Sequence, residues 1–494
     1  MRALRTLDRR LFARVAESRL RGAHPVLPRL STAANHGVLW LGAAAVLAAS
    51  GSRTARRAAL RGVGSLALAS LVANLPAKSA TRRPRPLLDT VPLARRLRVQ
   101  PLTSSFPSGH SASAAAFTVG VALESPALAL CVAPVALGVM ASRVYVGVHY
   151  PGDVLAGAAF GAGAALLTTR WWPRAAEAPA QAAPPQVHAP ALPRGAGLVV
   201  VVNADSGPDG PDTAVAELRR LLPDADLVLR GPGDDLPALV EEAARRAAAD
   251  GGALGVCGGD GSVNLAADAA RRAGLPLAVF PGGTLNHFAL DLGTASLAGT
   301  ASAVEDGSAV SVDIGRAQGP DGTDLHFLNT FSIGVYPDLV RIRERHEKRI
   351  GKWPALGVAL VEVLSRAEPV RVSVSGVPRS LWLLFAGSGA YDPPGFAPTR
   401  RVRLDDGILD VRIVDGSHPF ARTRLVLAFL TGTLGRSPVY KEARLRALDV
   451  SDLRGVPHAA IDGEVVDAPD RLLLGKRPGG LTVYRPHPAG AGGA

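Results

Sequence analysis

Two sets of residues have the types and spacing for phosphate chemistry, and they lie in different halves of the chain. In the first half Ser142-Arg143 is followed, after five residues, by His149, and after three more by Asp153. Upstream stand Lys78, six intervening residues and Arg85-Pro86, then Pro107-Ser108-Gly109-His110. Arginine presents a planar fork of donors that fits phosphate oxygens. Histidine can act as a nucleophile, and a nearby carboxylate can fix its tautomer and stabilise its charged form. In the second half Gly258-Gly259-Asp260-Gly261-Ser262-Val263-Asn264 follows an apolar run and opens a helical pattern. Glycine-rich backbone at a helix N-terminus can approach phosphates and point N–H groups at them. Asn203-Ala204-Asp205-Ser206-Gly207 and Pro281-Gly282-Gly283-Thr284-Leu285-Asn286 follow two further apolar runs in the same way.

The elements that must position these residues differ between the halves. Five Ala- and Gly-rich apolar stretches (37–51, 60–77, 111–123, 126–141 and 153–169) surround the first set, with nearly all the charge between them. They read as a compact transmembrane helix bundle in which small residues permit close packing. Ahead of them, Leu4, Leu7, Leu11, Phe12 and Val15 recur at helical spacing among arginines over residues 2–20, the pattern of an amphipathic helix on a membrane surface. An Ala/Pro-rich run from 175 to 193 reads as an extended linker. Beyond it strands alternate with helices (198–202, 213–222, 226–229, 236–249, 253–257, 263–273, 277–280), which implies a parallel sheet covered on both faces. The three glycine-bearing loops then fall at the carboxyl ends of parallel strands, where open α/β sheets bind ligands. From about residue 310 strands dominate, including 327–333, 402–404 and 481–484, and imply a mostly antiparallel second lobe.

The expected fold is therefore an N-terminal all-α transmembrane bundle (1–172), a linker (173–196), an α/β nucleotide-binding lobe (197–309), a β-rich lobe (310–485) and a disordered tail (486–494). A length of 494 residues suits such a multidomain chain. The net charge of +13 points to an anionic partner, phosphate groups or an anionic membrane. Nucleic acid is excluded, because the excess arginine sits among apolar runs and no DNA- or RNA-binding motif accompanies it. Two distant cysteines, Cys131 and Cys257, imply neither a disulfide framework nor a zinc site.

The three motifs of the first half resemble the type-2 phosphatidic acid phosphatase superfamily, which also contains the vanadium haloperoxidases, over residues 30–170. The resemblance implies that Lys78, Arg85, Ser108, the Gly109 amide and Arg143 cradle a phosphate. It implies further that His149, oriented by Asp153, attacks phosphorus, and that His110 protonates the departing oxygen and then activates water. No cofactor is implied for this half. The arginines at 53, 56, 57, 61, 170 and 174 mark one face of the bundle as cytoplasmic and leave the motif loops facing outward.

The loops of the second half resemble the diacylglycerol kinase catalytic domain, in the branch with bacterial lipid kinases and sphingosine kinases, over about 197–485. Asn329, Ser332-Ile333-Gly334, Asp405-Asp406-Gly407-Ile408-Leu409-Asp410 and Ile461-Asp462-Gly463-Glu464 extend the match. The resemblance implies that Asn203, Ser206, Gly207, Gly258, Gly259, Asp260, Gly261, Ser262, Gly283, Thr284 and Asn286 hold ATP with Mg2+. Glu464 would be the base for the lipid hydroxyl, and Asp406, with the carbonyls of Arg403 and Ile408, would hold a structural magnesium. Ser262 stands where threonine is usual, Ala204 where proline is usual, and His287 where aspartate is common. The expectation is a bifunctional integral membrane enzyme acting on lipids and lipid phosphates, with its kinase half cytoplasmic and its oligomeric state open. The alternatives are a phosphatase carrying a lipid- or nucleotide-sensing domain, and a haloperoxidase in the first half.

Overall fold

The computed structural model describes residues 2–18, 26–50, 52–72, 83–87, 89, 91–97, 100–101, 103–172, 179–182, 189–203, 211–231, 233–283, 286–294, 296–392 and 400–486. The chain divides into two units, Met1–Ala175 and Ala176–Ala494.

The described helices of the first unit are α1 (Arg2–Glu17), α2 (Leu27–Ala33), α3 (Val38–Ala49), α4 (Arg53–Val72), α5 (Gly109–Glu124), α6 (Pro126–Tyr145) and α7 (Pro151–Thr168). Their starts are written in the sequence. Ser108 caps α5 by accepting from the Ser111 amide, Ser125 caps α6 in the same way, and Pro126 and Pro151 open α6 and α7, where a missing N–H costs nothing. Glycines let α5 and α7 touch along their backbones: a Cβ on Gly157 would lie 2.3 Å from the Ser108 carbonyl, and one on Gly161 2.1 Å from the Ala112 carbonyl. Trp40, Phe117, Val121 and Val139 fill the core between α3, α4, α5 and α6.

Five spans were expected; among the described residues α6 and α7 are long and apolar enough to cross a membrane, and the α2–α3 pair, bent by 65°, would make a third. With 16 residues α5 is roughly 24 Å long, short of a hydrocarbon core of about 30 Å. The N-terminal part of α4 carries Arg53, Arg56, Arg57 and Arg61. Arg61 is fully buried, donating to Glu124 (2.6 Å), Thr168 (3.3 Å) and the Trp172 carbonyl (2.6 Å). The expected surface helix, α1, exposes Leu7 and Leu11 but packs Phe12 and Ala16 against Val91, Val144 and Tyr150.

In the second unit β1 (Leu198–Asn203), α8 (Pro211–Leu221), β2 (Asp226–Arg230), α9 (Leu236–Ala249), β3 (Ala253–Gly258), α10 (Asp260–Ala273) and β4 (Leu277–Pro281) form a parallel sheet in the order β2-β1-β3-β4. Both faces are covered: Val199 and Val201 enter one core, Val200 and Val202 the other. After α11 (His287–Leu292) and α12 (Leu297–Asp306) come β5 (Ala309–Gln318), β6 (Asp324–Phe327), β7 (Thr330–Gly334), α13 (Val335–Ile350), α14 (Lys352–Arg366), β8 (Val370–Val374), β9 (Val377–Ser388), β10 (Tyr391–Asp392) and β11 (Arg400–Arg401). The chain continues through β12 (Leu409–Asp415), α15 (Ala421–Thr431), β13 (Tyr440–Leu445), β14 (Ala447–Ser451), β15 (His458–Ile461), β16 (Glu464–Asp467) and β17 (Arg471–Tyr484). Apart from the two-stranded β10–β11 pair, all these strands belong with β1–β4 to one 15-stranded sheet. The pairs among them are antiparallel, for example β7 with β9 and β12 with β9. Strand β17 joins the two patterns, pairing antiparallel with β5 and β14 and parallel with β4.

Three expectations are corrected here. Residues 179–182 and 189–192 are part of the second unit rather than linker: the Ala180 amide donates to Asp291, Gln181 to Val402 and Leu192 to Val304. The single strand expected at 327–333 is split into β6 and β7, because the amides of Leu328, Asn329 and Thr330 turn to the Asp462 carboxylate. The strand expected at 402–404 is instead β11 at Arg400–Arg401, followed by a bridge from Arg403 to Gln181.

Candidate functional site

In the first unit the loop between α6 and α7 carries His149, which is 4% exposed. Its Nδ1 lies 2.6 Å from the Ser105 carbonyl, an acceptor that requires the proton on Nδ1 and so leaves the Nε2 lone pair free. Asp153, expected to orient this histidine, has its Oδ2 3.9 Å from Nδ1. It works one step back, accepting from Ser105 Oγ (2.5 Å), the Tyr150 amide (2.9 Å) and Arg83 (2.7 Å). The aspartate therefore fixes the loop whose carbonyl fixes the histidine. Burial, and then the positive charges of Arg143 and Arg85, hold His149 well below the ordinary imidazole pKa. All three motifs converge on the His149 loop: Arg85 donates to the Val148 carbonyl and the Ser108 amide to the Asp153 carbonyl.

The other motif residues divide into those with free capacity and those already engaged. Arg143 is 2% exposed and donates to Ser31 Oγ at 2.5 Å; its buried Nε has no hydrogen-bond partner among the described residues. An unpaired buried donor of that kind fits an anion. Arg85 donates to the carbonyls of Thr103 (2.9 Å), Val148 (2.7 Å) and Ser104 (3.3 Å), so it ties two motif loops together. Burial lowers its pKa, and the Asp153 charge partly offsets this. Ser108 is buried, its hydroxyl shared with Ser111 and its amide donated to the Asp153 carbonyl; Gly109 is the first residue of α5. His110 Nε2 lies 2.8 Å from Asn35 Oδ1. Lys78 lies outside the described residues.

Sequence reasoning missed Ser105, Asn35, Arg83 and Asp8. Arg83 bridges Asp153 and Asp8 (2.5 Å), lies over the Tyr150 ring, and Asp8 accepts from the Gly152 amide at the start of α7. The signal was the arginine pair that opens Arg82-Arg83-Pro84-Arg85; for Asp8, the only acidic residue in the basic N-terminal helix before Glu17, the signal was its isolation.

In the second unit the Gly258–Ser262 turn and the Pro281–Asn286 loop meet backbone to backbone. A Cβ on Gly283 would lie 2.5 Å from Gly259 Cα, so only glycine fits. Asn286, at φ +49°, accepts the Gly283 amide on its side chain. Asn203 donates to Ser262 Oγ (2.8 Å) and accepts from Arg230 (3.1 Å). Asp260 accepts from the Phe288 amide at 3.3 Å. These residues line one end of the parallel sheet with amides and small polar groups, a surface that fits a polyphosphate. Ser206, Gly207 and Thr284 lie outside the described residues.

The β-rich part delivers Glu464 to this turn: a Cβ on Gly261 would lie 2.4 Å from Glu464 Oε1. Burial against the turn, and then the Glu344 charge, raise the Glu464 pKa above its ordinary value. Asp462 sets the tight turn before it, at φ +49°, by accepting three amides from the β6–β7 connection. Burial outweighs those bonds and puts its pKa at about 6. Arg401, missed from sequence, is 2% exposed and joins Asp291 (2.7 Å), the Leu328 carbonyl (2.6 Å) and Asn329. A buried guanidinium with this many acceptors positions the loops on either side of it.

Asp406 does not fit the structural magnesium expected for it. Its Oδ1 already accepts from the Ile408 amide (3.0 Å) and from Lys476 Nζ (2.9 Å), and its Oδ2 from the Ala390 amide (2.8 Å). Burial alone would raise its pKa, yet the Ala390 amide and Lys476 hold it below the ordinary value.

A family model, the PAP2 superfamily, matches residues 58–177, and another, the diacylglycerol kinase catalytic domain, matches residues 197–317. The chain is 48% identical over 64 residues to a lipid A 1-phosphatase of Rhizobium johnstonii, 13% of this chain and 26% of that one; it thus spans about a quarter of that relative's length. It is 36% identical to a decaprenylphosphoryl-5-phosphoribose phosphatase of Mycobacterium tuberculosis, over 27% of this chain and 71% of that one. A protein of Pseudomonas aeruginosa named as a YegS-like lipid kinase is 28% identical over 58% of this chain and 94% of that one. With His149 and Arg143 converging in one unit and the glycine turns meeting Glu464 in the other, the chain belongs to the PAP2 superfamily through its first unit, and its second matches the model of the diacylglycerol kinase catalytic domain.

Proposed function

We propose that the protein is a bifunctional membrane lipid enzyme, a lipid phosphate phosphatase joined to an ATP-dependent lipid kinase. The observation that carries the phosphatase reading is the buried imidazole of His149, its Nδ1–H held by the Ser105 carbonyl, beside the buried Arg143 guanidinium. In this reading Nε2 attacks phosphorus while Arg143, Arg85, the Ser108–Gly109 turn and Lys78 stabilise the charge on the equatorial oxygens. His110 gives its proton to the leaving lipid oxygen, then takes one from the water that hydrolyses the phosphohistidine.

In the kinase unit Asn203, Ser206, Gly207, Gly258–Ser262, Gly283, Thr284 and Asn286 would hold ATP, with Asp260 helping to order its magnesium. That metal would neutralise phosphate charge. Glu464 takes the proton from the lipid hydroxyl, and its position over Gly261 supports that role. We further propose that the phosphatase site faces outward and the kinase unit the cytoplasm, and that the two act on different lipids or leaflets, because one shared pool would only consume ATP.

The test is phosphate release from a panel of lipid phosphates in detergent, for wild type and His149→Ala. Release that persists in chelator and disappears in the variant is the expected result. Release unaffected by His149→Ala would sink the phosphohistidine mechanism. For the second unit, magnesium-dependent ATP turnover stimulated by a lipid alcohol and lost in Glu464→Ala is expected.

A further inference from the structure

The positive charge at Asp406 is a side chain. Lys476, on β17, has 1% of its side chain exposed; its Nζ lies 2.9 Å from Asp406 Oδ1 and 3.1 Å from Asp313 Oδ2. The two carboxylates are enclosed as well, with 10% and 3% of their side chains exposed. Asp313 accepts the amides of Gly407 (2.8 Å) and Gly479 (3.0 Å), and Asp406 those of Ala390 and Ile408. One ammonium and four amides thus tie together β5, the turn before β12, the chain after β9 and the bulge in β17. The carboxylates exceed the ammonium by one charge, and the amide dipoles offset that remainder.

This is the arrangement a divalent ion would otherwise impose, with oxygens of separate segments turned toward one centre of charge. A magnesium ion demands its own near-octahedral shell of oxygens. Beside Asp406 it would have to displace a buried ammonium from two carboxylates, leaving that charge enclosed and unpaired. We propose that Lys476 is a built-in replacement for a structural divalent ion, so that the β-rich part of the kinase unit is held together without metal at Asp406. The inference goes beyond the phosphotransfer reading, and its readouts are metal binding and unfolding rather than turnover.

The experiment uses the full chain in detergent, without nucleotide, with Mn2+ as the binding probe and Mg2+ or chelator in thermal unfolding. Wild type is expected to show no Mn2+ site that Asp406→Asn removes, and the same unfolding midpoint for the second unit in chelator and in millimolar Mg2+. Lys476→Ala leaves two buried carboxylates unpaired, so its midpoint in chelator falls by about 6 °C or more. That variant gains one saturable Mn2+ site, recovers much of the loss in Mg2+, and loses the site again when Asp406→Asn is added. A wild-type Mn2+ site abolished by Asp406→Asn would overturn the proposal. So would a Lys476→Ala chain that folds and gains no site. If neither variant folds, the wild-type comparison of chelator with Mg2+ still decides, a rise in midpoint with Mg2+ counting against the proposal.

Discussion

Under the proposed function, the two candidate sites hold phosphate with different materials. In the first unit the work falls to long side chains, Arg143, Arg85 and His149, each located by other side chains and by loop carbonyls. In the second it falls to backbone amides exposed by glycine, with Gly283 so close to Gly259 that a Cβ on Gly283 does not fit. The difference follows from what each scaffold offers. Helix interiors keep their amides for their own hydrogen bonds, so a helical bundle must bring charge on side chains. Loops at the ends of parallel strands have amides to spare, and the helix dipole adds to them. The first kind of site should therefore be sensitive to charge and tautomer, and the second to volume.

The largest effects should separate the two units completely. His149→Ala is expected to lower lipid phosphatase turnover by at least about 10³-fold, as loss of a covalent nucleophile does, and to leave lipid-stimulated ATP turnover unchanged. Glu464→Gln should lower kinase turnover by about 10²–10⁴-fold and leave phosphate release alone. A variant that damages both activities while the chain stays folded would show that the sites are not independent.

Volume and tautomer supply the next pair. Gly261→Ala adds one methyl group 2.4 Å from Glu464 Oε1, and displacing that carboxylate should cost about 10²-fold in kinase turnover with little loss of stability. In the phosphatase unit the Nδ1 proton of His149 is set by the Ser105 carbonyl, with Asp153 acting through Ser105. Asp153→Asn should therefore cost less than loss of the nucleophile, about 10–10²-fold, the worth of a hydrogen bond to a charged group. If Asp153→Asn instead matches His149→Ala, the aspartate contacts the histidine directly during turnover.

How far these sites could be read from the sequence divides along the same line. The glycine turns were legible because few residues other than glycine tolerate such contacts, and the spacing of strand, turn and helix located them. His149 and Arg143 were singled out by type and spacing, and Glu464 by the resemblance of its Asp-Gly-Glu run. The engagement of the side chains was not. Nothing in the order of residues says that Arg85 donates to loop carbonyls, that Ser105 stands between Asp153 and His149, or that Lys476, seventy residues on, reaches Asp406. These depend on which segments the fold brings side by side, as β17 does in closing the antiparallel strands onto β4. The spans were read from apolar stretches, and such a stretch shows that a helix is buried but not whether protein or lipid covers it: α5 is covered on most of its length by α4, α6 and α7.

The smallest effect is on pH, and it has opposite sign in the two sites. Burial disfavours the charged form of each group, but the working form of His149 is neutral and that of Glu464 is charged. With the histidine pKa lowered, the nucleophile stays unprotonated as pH falls, so the acid limb of phosphatase kcat/KM should lie below about pH 6.5. With the glutamate pKa raised, the base is lost earlier, and the acid limb of kinase kcat/KM should lie above the ordinary value of about 4.3. Glu344→Gln sharpens this, because it removes a negative charge that raises Glu464. The kinase limb should move to lower pH by a fraction of a unit while the phosphatase limb stays in place. A kinase limb unmoved by Glu344→Gln would mean that burial against Gly261 sets the Glu464 pKa by itself, and would make volume the one variable to which the second site responds.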